Sequence, residues 1–479
     1  MKRREFGKMA AAGLIGLGFS PVVKAGSSIF TMQSRKKDIP VNIGSRLEMF
    51  VDDLLVEKIN NVEFRLHHPH KLPLPGSPLM GAYATVIKDG FRYRAYYRDV
   101  IPGYDWPTYD GHRGEITCYA ESLDGHEWTF PNLSIIEKTG PNGNNVILYE
   151  QPFCHNFSPF LDLNPGTDNK QRFKALAGSR DQVHERSTGQ AGRGGLYPFS
   201  SDDGVHWRKM QDKPVITQGA FDSQNVVFWS EAEKMYVCYF RSFDTPYGRI
   251  RSISRTTSKD FINWTDPVPM NPNLPGEHLY TSQTHPYFRA SHIYIALPTR
   301  FVPDRGDSTD VLLMSSRAGT TSYSRLFTGA FIRPGLDQDR WGNRSNYVAL
   351  NVVPTGEKEM SIYHVHSGHR YILRTDGFIS VCAGTAEGEI VTKPLIFGGK
   401  ELVANYSTSA AGNLRVEIQE PGGRVVPGFS LEDCEAAIGD TIEGGITWKS
   451  GADLHKLAGR PVRLRFVMNE CDIYSFRFI

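Results

Sequence analysis

The sequence predicts an all-β protein, a five-bladed β-propeller followed by a C-terminal β-sandwich. Three observations carry this expectation. Forty-six glycines and 29 prolines punctuate a chain of 479 residues that also holds 27 Phe, 21 Tyr and 7 Trp, a composition suited to many strands separated by turns. A short Ser-x-Asp motif ending in Trp recurs through the middle of the chain at the spacing of propeller blades. Beyond about residue 376 the texture changes to short alternating strands set between Asp and Gly turns.

Charge excludes some partners. The chain carries 54 Lys and Arg against 52 Asp and Glu, a net charge of +2, so it lacks the global field that nucleic-acid binders use. The composition also excludes disorder and coiled coil.

The N-terminus reads as an export signal. Met1-Lys2-Arg3-Arg4-Glu5-Phe6-Gly7-Lys8 precedes an apolar stretch from Met9 to Phe19, and Val23-Lys24-Ala25 supplies a small residue at a cleavage point. The segment resembles a twin-arginine signal in its Arg pair, the Phe two residues on and the Lys after it. Lys2 and Gly7 depart from the Ser or Thr and the Leu usual at those places. A signal peptide over residues 1–26 places the mature protein in a bacterial periplasm or beyond. The stretch is shorter than the ~20 residues that a membrane span takes, and no later segment is uniformly apolar. Six cysteines (Cys118, Cys154, Cys238, Cys382, Cys434 and Cys471) lack CxxC spacing, which indicates neither a disulfide scaffold nor a zinc site and leaves room for one or two bridges. No cofactor or metal is called for, and the sequence is silent on oligomeric state.

The repeat organises residues 45–375. Ser122-Leu-Asp124-Gly125-His-Glu-Trp128, Ser201-Asp-Asp203-Gly204-Val-His-Trp207 and Ser258-Lys-Asp260-Phe261-Ile-Asn-Trp264 share one pattern, and a degenerate copy begins at Ser316. The spacings are 79, 57 and 58 residues, each matching one four-stranded blade with its loops. Ser and Asp can bond a turn's backbone, Gly permits positive φ, and Trp can close the layer between sheets, so the repeat reads as scaffold.

Strands follow the repeat. First strands are expected at 80–87, 155–161, 222–229, 280–288 and 346–353, and aromatic-rich second strands at 91–97, 234–240 and 292–297. The segment Glu48-Met-Phe-Val-Asp52-Asp53 is expected to supply the strand that closes the ring, because an open sheet edge is a liability. Residues 376–479 read as a sandwich from Ile390-Val-Thr-Lys, Leu402-Val-Ala-Asn, Asn413 to Ile418, Gly445-Ile-Thr-Trp448, Val462 to Phe466 and Ile473 to Phe478.

This organisation resembles the glycoside hydrolase superfamily of arabinanases, xylosidases, invertases and levanases. The resemblance covers most of residues 45–479 and rests on architecture and blade repeats. It implies three carboxylates at the heads of innermost strands, meeting in an axial funnel. The first-blade acid of that superfamily is absent here, since Gly81-Ala-Tyr83-Ala-Thr occupies its place.

The candidate site is therefore read from the residues. Asp222 heads the apolar run Val226-Val-Phe-Trp, Glu277 opens the fourth blade, and Glu359 precedes the strand-like Met-Ser-Ile-Tyr of the fifth. These three are the candidate catalytic carboxylates, because glycoside hydrolysis needs an acid for the leaving oxygen and a second carboxylate to attack or to activate water. Asn225, His155 and His285 are candidate substrate contacts at strand heads. His67, His68 and His70 cluster in a Pro-flanked loop. Arg98, Arg241 and Arg300 end second strands, with Arg317 and Arg344 nearby in later blades. Guanidinium groups bind carboxylates and sulfates bidentately, so convergence of Arg98, Arg241, Arg300 and Arg317 would select an acidic sugar. Tyr83, Tyr104, Trp106 and Tyr109 are candidate sugar-stacking faces.

Two function classes follow. The first is an exported glycoside hydrolase acting on a plant, algal or microbial saccharide. The second is a non-catalytic glycan-binding propeller, favoured by the absent first-blade acid. A sialidase-like or lyase chemistry on anionic sugars, in which Tyr or His moves protons and Arg holds an anion, is a further alternative to both.

Overall fold

A computed structural model describes residues 39–73, 82–105, 108–243, 245–342, 344–449 and 451–479. The signal segment 1–26, Met80 and Gly81 of the expected first strand, and Trp106 lie outside the described residues. The described chain is nearly all β, with one α-helix at Asp181–Thr188 and a few short 3-10 turns. No described helix is long and apolar enough to cross a membrane.

Successive antiparallel sheets follow one another along the chain. The first contains Ala82–Asp89, Arg92–Val100, Glu115–Ser122 and Val146–Leu148 in sequence order. The second contains Ser158–Leu161, Phe173–Ser179, Gly195–Ser201 and Arg208–Lys209, and the third Val226–Ser230, Met235–Ser242, Ser252–Ser258 and Val268–Pro269. The next stretch forms two three-stranded pieces, one built on His285–Tyr287, Ala290–Ala296 and Met314–Arg317, the other on His278–Leu279, Thr299–Val302 and Ser308–Val311. A last four-stranded sheet joins Val353–Pro354, Glu359–Tyr363 and His369–Arg374 to His70–Pro73.

First strands lie against one another. Ala82–Asp89 contacts Ser158–Leu161, which contacts Val226–Ser230, which contacts His285–Tyr287, and Val353–Pro354 returns to Ala82–Asp89. Side-chain amides stitch this inner layer: Gln224 Nε2 donates to Ala84 O at 2.9 Å, and Gln283 Nε2 donates to Gln224 Oε1 at 2.8 Å and to Val348 O at 2.6 Å. Such strands are covered on both faces, which explains why Val226-Val-Phe-Trp-Ser230 is an unbroken buried run.

The closing strand differs from expectation. Glu48 and Met49 pair with Phe476 and Ser475, and the strand that completes the last sheet is His70–Pro73, whose Leu72 and Lys71 pair with Arg370 and Tyr371. Packing explains the difference: Phe50 is buried beside Phe466 and Phe476, at centroid distances of 6.4 and 5.9 Å. Residues 41–66 thus pair with the C-terminal strands in one ten-stranded sheet. Two of its members, Leu402–Gln419 and Pro461–Phe478, are 18-residue strands in which pairs of the expected short strands run together. Register shifts at Asn405/Tyr406 and Thr408/Asn413 bend the first of them.

Each Ser-x-Asp motif builds the same turn. Asp203 Oδ1 accepts from the backbone N–H of Val205 and His206 at 2.8 Å each, and Ser201 Oγ accepts from Gly204 N at 2.9 Å. Ser122/Asp124 and Ser258/Asp260 repeat these bonds. Gly125, Gly204 and Phe261 occupy the left-handed position, at φ of 75°, 80° and 70°. The tryptophans then close the layers between neighbours: Trp207 meets Phe157 and Tyr96 edge-on, and Trp128 meets Tyr363. All six cysteines are unpaired and buried.

Candidate active site

In an antiparallel sheet the head of the first strand, the tail of the second and the head of the third share one end. In the first sheet Ala82 pairs with Arg98 and Val100 with Glu115. In the third, Ala220 N donates to Arg241 O at 2.8 Å and Ser242 pairs with Ser252, which brings Asp222, Arg241 and Arg251 to the same end. These chain ends converge on Tyr83.

Tyr83 is the hub of the cluster. Its backbone is left-handed, at φ 51°, where the first strand's register shifts between Ala82 and Thr85. A bulky residue in that region is strained, and such strain persists only where the surroundings enforce it. The Arg98 guanidinium lies 4.9 Å from the Tyr83 ring centre, with the His155 ring at 5.6 Å and the Tyr347 ring at 6.2 Å. Its hydroxyl donates to Asp222 O at 3.4 Å. Tyr347 in turn meets Tyr280 at 5.6 Å, and Arg241 and Arg251 lie 5.0 and 5.2 Å from the Tyr280 ring.

Two carboxylates enter this cluster, one from the first sheet and one from the third. Asp222 is ion-paired with Arg241 and with Arg180, the latter at 3.2 Å. Burial disfavours its charge, but the Arg241 charge and hydrogen bond outweigh it and hold the carboxyl below the usual aspartate range. Glu115 is 3% exposed, and its Oε1 lies 2.8 Å from His155 Nδ1 and 3.7 Å from Arg98 Nη1. Again burial opposes ionisation and is outweighed, here by His155 and then Arg98, so Glu115 also stays ionised. Tyr83 behaves oppositely: burial, then the neighbouring Tyr280 and Tyr347, raise its pKa well above 10 and keep its proton in place. The arrangement can therefore offer two fixed negative charges, a neutral phenol and an imidazole coupled to a carboxylate.

Of the residues expected at the site, Asp222, Arg98, Arg241 and His155 come together. Glu277 is paired with Arg325 at 2.6 and 3.1 Å in the loop before His278–Leu279. Glu359 heads a second strand, not a first, so it lies at the far end of its sheet; its register partner is Arg374, whereas His364 pairs with Val348 nearer the cluster. There it bonds Arg370 at 3.0 Å beside a groove of about 450 Å³ lined by His67, His68 and His70. Among the described residues no hydrogen bond or ion pair links either glutamate to Asp222.

The other expected contacts are also employed elsewhere. Asn225 Nδ2 donates to Phe221 O and Ser223 O of its own turn, at 3.2 and 2.9 Å. His285 is buried with both ring nitrogens engaged by backbone, Nδ1 with Gln283 O at 2.9 Å and Nε2 with Val352 N at 3.0 Å, and burial lowers its pKa to about 4. Arg300 forks onto Asp310 on the adjacent strand at 2.9 and 2.6 Å. Arg317 ends a third strand, at the far end, and binds Asp52 and Glu48. His67 and His68 bond Ser380 Oγ and Phe331 O, and no group of three metal-ligating side chains occurs among the described residues.

Sequence reasoning missed Glu115, Tyr280, Tyr347 and Arg251. The usable signal was positional: Glu115 and Arg251 immediately open third strands, the one other place in each sheet that faces the first-strand heads.

The sequence matches no protein-family model and no curated protein. Its fold is similar to those of solved carbohydrate-active proteins. A glycoside hydrolase family 43 arabinoxylan arabinofuranohydrolase from Bacillus subtilis is 14% identical, with 83% of this chain and 95% of that one covered at a TM-score of 0.40. A β-1,2-mannobiose phosphorylase from Listeria innocua is 11% identical, with 66% and 97% covered at 0.44. A GH32 β-fructofuranosidase from Bombyx mori is 10% identical, with 86% and 94% covered at 0.38.

Proposed function

We propose that this chain is a glycoside hydrolase whose site is the Tyr83 cluster. One observation carries the proposal: two ionised carboxylates from different sheets, buried Glu115 and part-buried Asp222, meet one protonated tyrosine, Glu115 through the His155 ring and Asp222 through its backbone carbonyl. Asp222 acts as the nucleophile or base, its charge positioned by Arg241 and Arg180. His155, coupled to Glu115, delivers the proton to the leaving oxygen, and Tyr83 orients the reacting sugar. An imidazole oriented by a carboxylate in this way can pass a proton to a bound substrate.

A five-bladed propeller, its fourth blade made up of the two three-stranded pieces, with the ten-stranded sheet as a C-terminal sandwich joined by residues 41–66, is the architecture we assign. The closed succession of first strands supports it. Export through a twin-arginine-like signal over residues 1–26 completes the proposal and puts the enzyme among extracytoplasmic saccharides.

A second reading, β-elimination, is favoured by the proton held on Tyr83 beside His155. Product mass separates the two. Hydrolysis adds water across the cleaved bond, whereas elimination leaves an unsaturated uronate that absorbs in the ultraviolet. Mass spectrometry of oligosaccharides incubated with the mature protein, repeated with Asp222→Asn, tests the proposal. Turnover lost in the variant with binding retained supports it, and unchanged turnover removes Asp222 from the chemistry.

A further inference from the structure

Arginines gather at this site. Arg98, Arg180, Arg241 and Arg251 surround the cluster, and Arg344 hydrogen-bonds Tyr280 at its edge. Against them stand Glu115 and Asp222, with Asp307 3.4 Å from Arg344, Asp110 3.8 Å from His155, Asp99 beside Arg98 and Asp304 acting on His278. Arg251 makes no ion pair with a carboxylate among the described residues. Its guanidinium lies between the rings of Tyr280 and Phe301, at 5.2 and 4.7 Å, and its Nη1 is 3.3 Å from His278 Nδ1.

Three other arginines near the sheets are neutralised, while buried Arg340, which also lacks a carboxylate partner among the described residues, bonds Asn346 Oδ1 and the Tyr371 hydroxyl instead. Arg300, Arg317 and Arg325 each fork onto carboxylates of neighbouring strands or loops. Arg251 instead faces a second guanidinium, Arg241, and burial together with that like charge pushes its pKa down. A half-buried guanidinium beside another one, stacked on aromatic rings with its buried Nε unbonded, is arranged to receive an anion. Tyr280 and Tyr347 supply apolar faces of the kind that pack against a sugar ring next to it.

We infer that Arg251, with Arg241 and His278, forms a subsite for an oxyanion on the saccharide, a carboxylate or a sulfate ester. The inference deepens the glycoside hydrolase reading and rests on it for the bond broken, not for the anion bound. Arg251 contacts the anion directly, while Arg241 is shared between the anion and Asp222.

Calorimetry of the full mature protein tests this with four probes: oligogalacturonate, its carboxyl-reduced form, a sulfated galactan oligosaccharide, and its desulfated form. One anionic probe binds, and removing its charge weakens binding on the order of tenfold to a hundredfold, the worth of a charge-assisted hydrogen-bond pair. Arg251→Gln produces a loss of the same size for the anionic probe only, and Arg251→Lys restores part of it. The preferred probe tells carboxylate from sulfate. Equal affinity for charged and uncharged forms, or no binding of either anionic probe, overturns the subsite. If Arg251→Gln fails to fold, the charged-versus-uncharged comparison in the unaltered protein still decides. Charge-dependent binding without cleavage upholds the subsite and removes the hydrolase reading, whereas cleavage indifferent to charge does the reverse.

Discussion

Glu115 Oε1 lies 2.8 Å from His155 Nδ1, and both groups are buried between the first and second sheets. The contact fixes the imidazole's orientation. Glu115→Gln keeps the shape and removes the charge. Turnover falls by on the order of a hundredfold or more, the usual worth of a positioned proton-transfer group. The pH–rate profile changes shape with it, because a carboxylate held ionised below the usual glutamate range is gone from the site. A profile of unchanged shape with lower amplitude would make Glu115 a packing residue.

Tyr83→Phe removes one hydroxyl from a ring that keeps its neighbours. The variant is expected to fold, with turnover reduced at least tenfold, since the hydroxyl that faces Asp222 O is lost while the ring stays beside Arg98. Thermal unfolding and steady-state kinetics measured together check it.

Glu48 couples stability to acid pH. It is fully buried, and although burial opposes its charge, His292 and Arg317 lower its pKa from 4.5 to about 2. A depressed folded value means the stabilisation is present above the unfolded pKa and lost as pH falls from 4.5 towards about 2. The size is on the order of 3 kcal/mol. Glu48→Gln is less stable at neutral pH and loses less than the unaltered protein across that acid window. Urea unfolding at a series of pH values reads this directly, and parallel curves for the two proteins would refute it.

Phe261 sets two effects against each other. It holds the left-handed position that Gly125 and Gly204 occupy in the sister turns, yet its ring is buried against Phe160, Tyr236 and Trp264. Glycine there would relieve backbone strain of about 1–2 kcal/mol, while removing a buried Phe side chain costs about 3–5 kcal/mol. The lost packing outweighs the relieved strain. Phe261→Gly is destabilised by roughly 1–4 kcal/mol in chemical denaturation.

The sequence carried the sheets further than the site. Turn motifs at Ser122, Ser201 and Ser258 and the aromatic second strands are local signals, and they appear where periodicity puts them. Arg98, Arg241 and Asp222 were legible because a strand head or tail immediately flanks each. Glu359 was misplaced for want of one strand: residues 346–352 run as bridged, irregular chain before Val353–Pro354, so the strand after Glu359 is the second of its sheet and runs the other way. Glu115 was hidden by its distance from Arg98 in sequence, which antiparallel pairing of their strands cancels by bringing them to one end. Glu48 read as a strand of the ring because its pairing with Phe476 spans almost the whole chain, a distance no local pattern records.

Whether Asp222 takes part in breaking a glycosidic bond is decided by incubating the mature protein and its Asp222→Asn variant with neutral, uronate-containing and sulfated oligosaccharides and weighing the products by mass spectrometry. Cleavage of one acidic class with addition of water, lost in the variant, is the expected result. Binding without cleavage across the whole panel would contradict it and leave a glycan-binding protein.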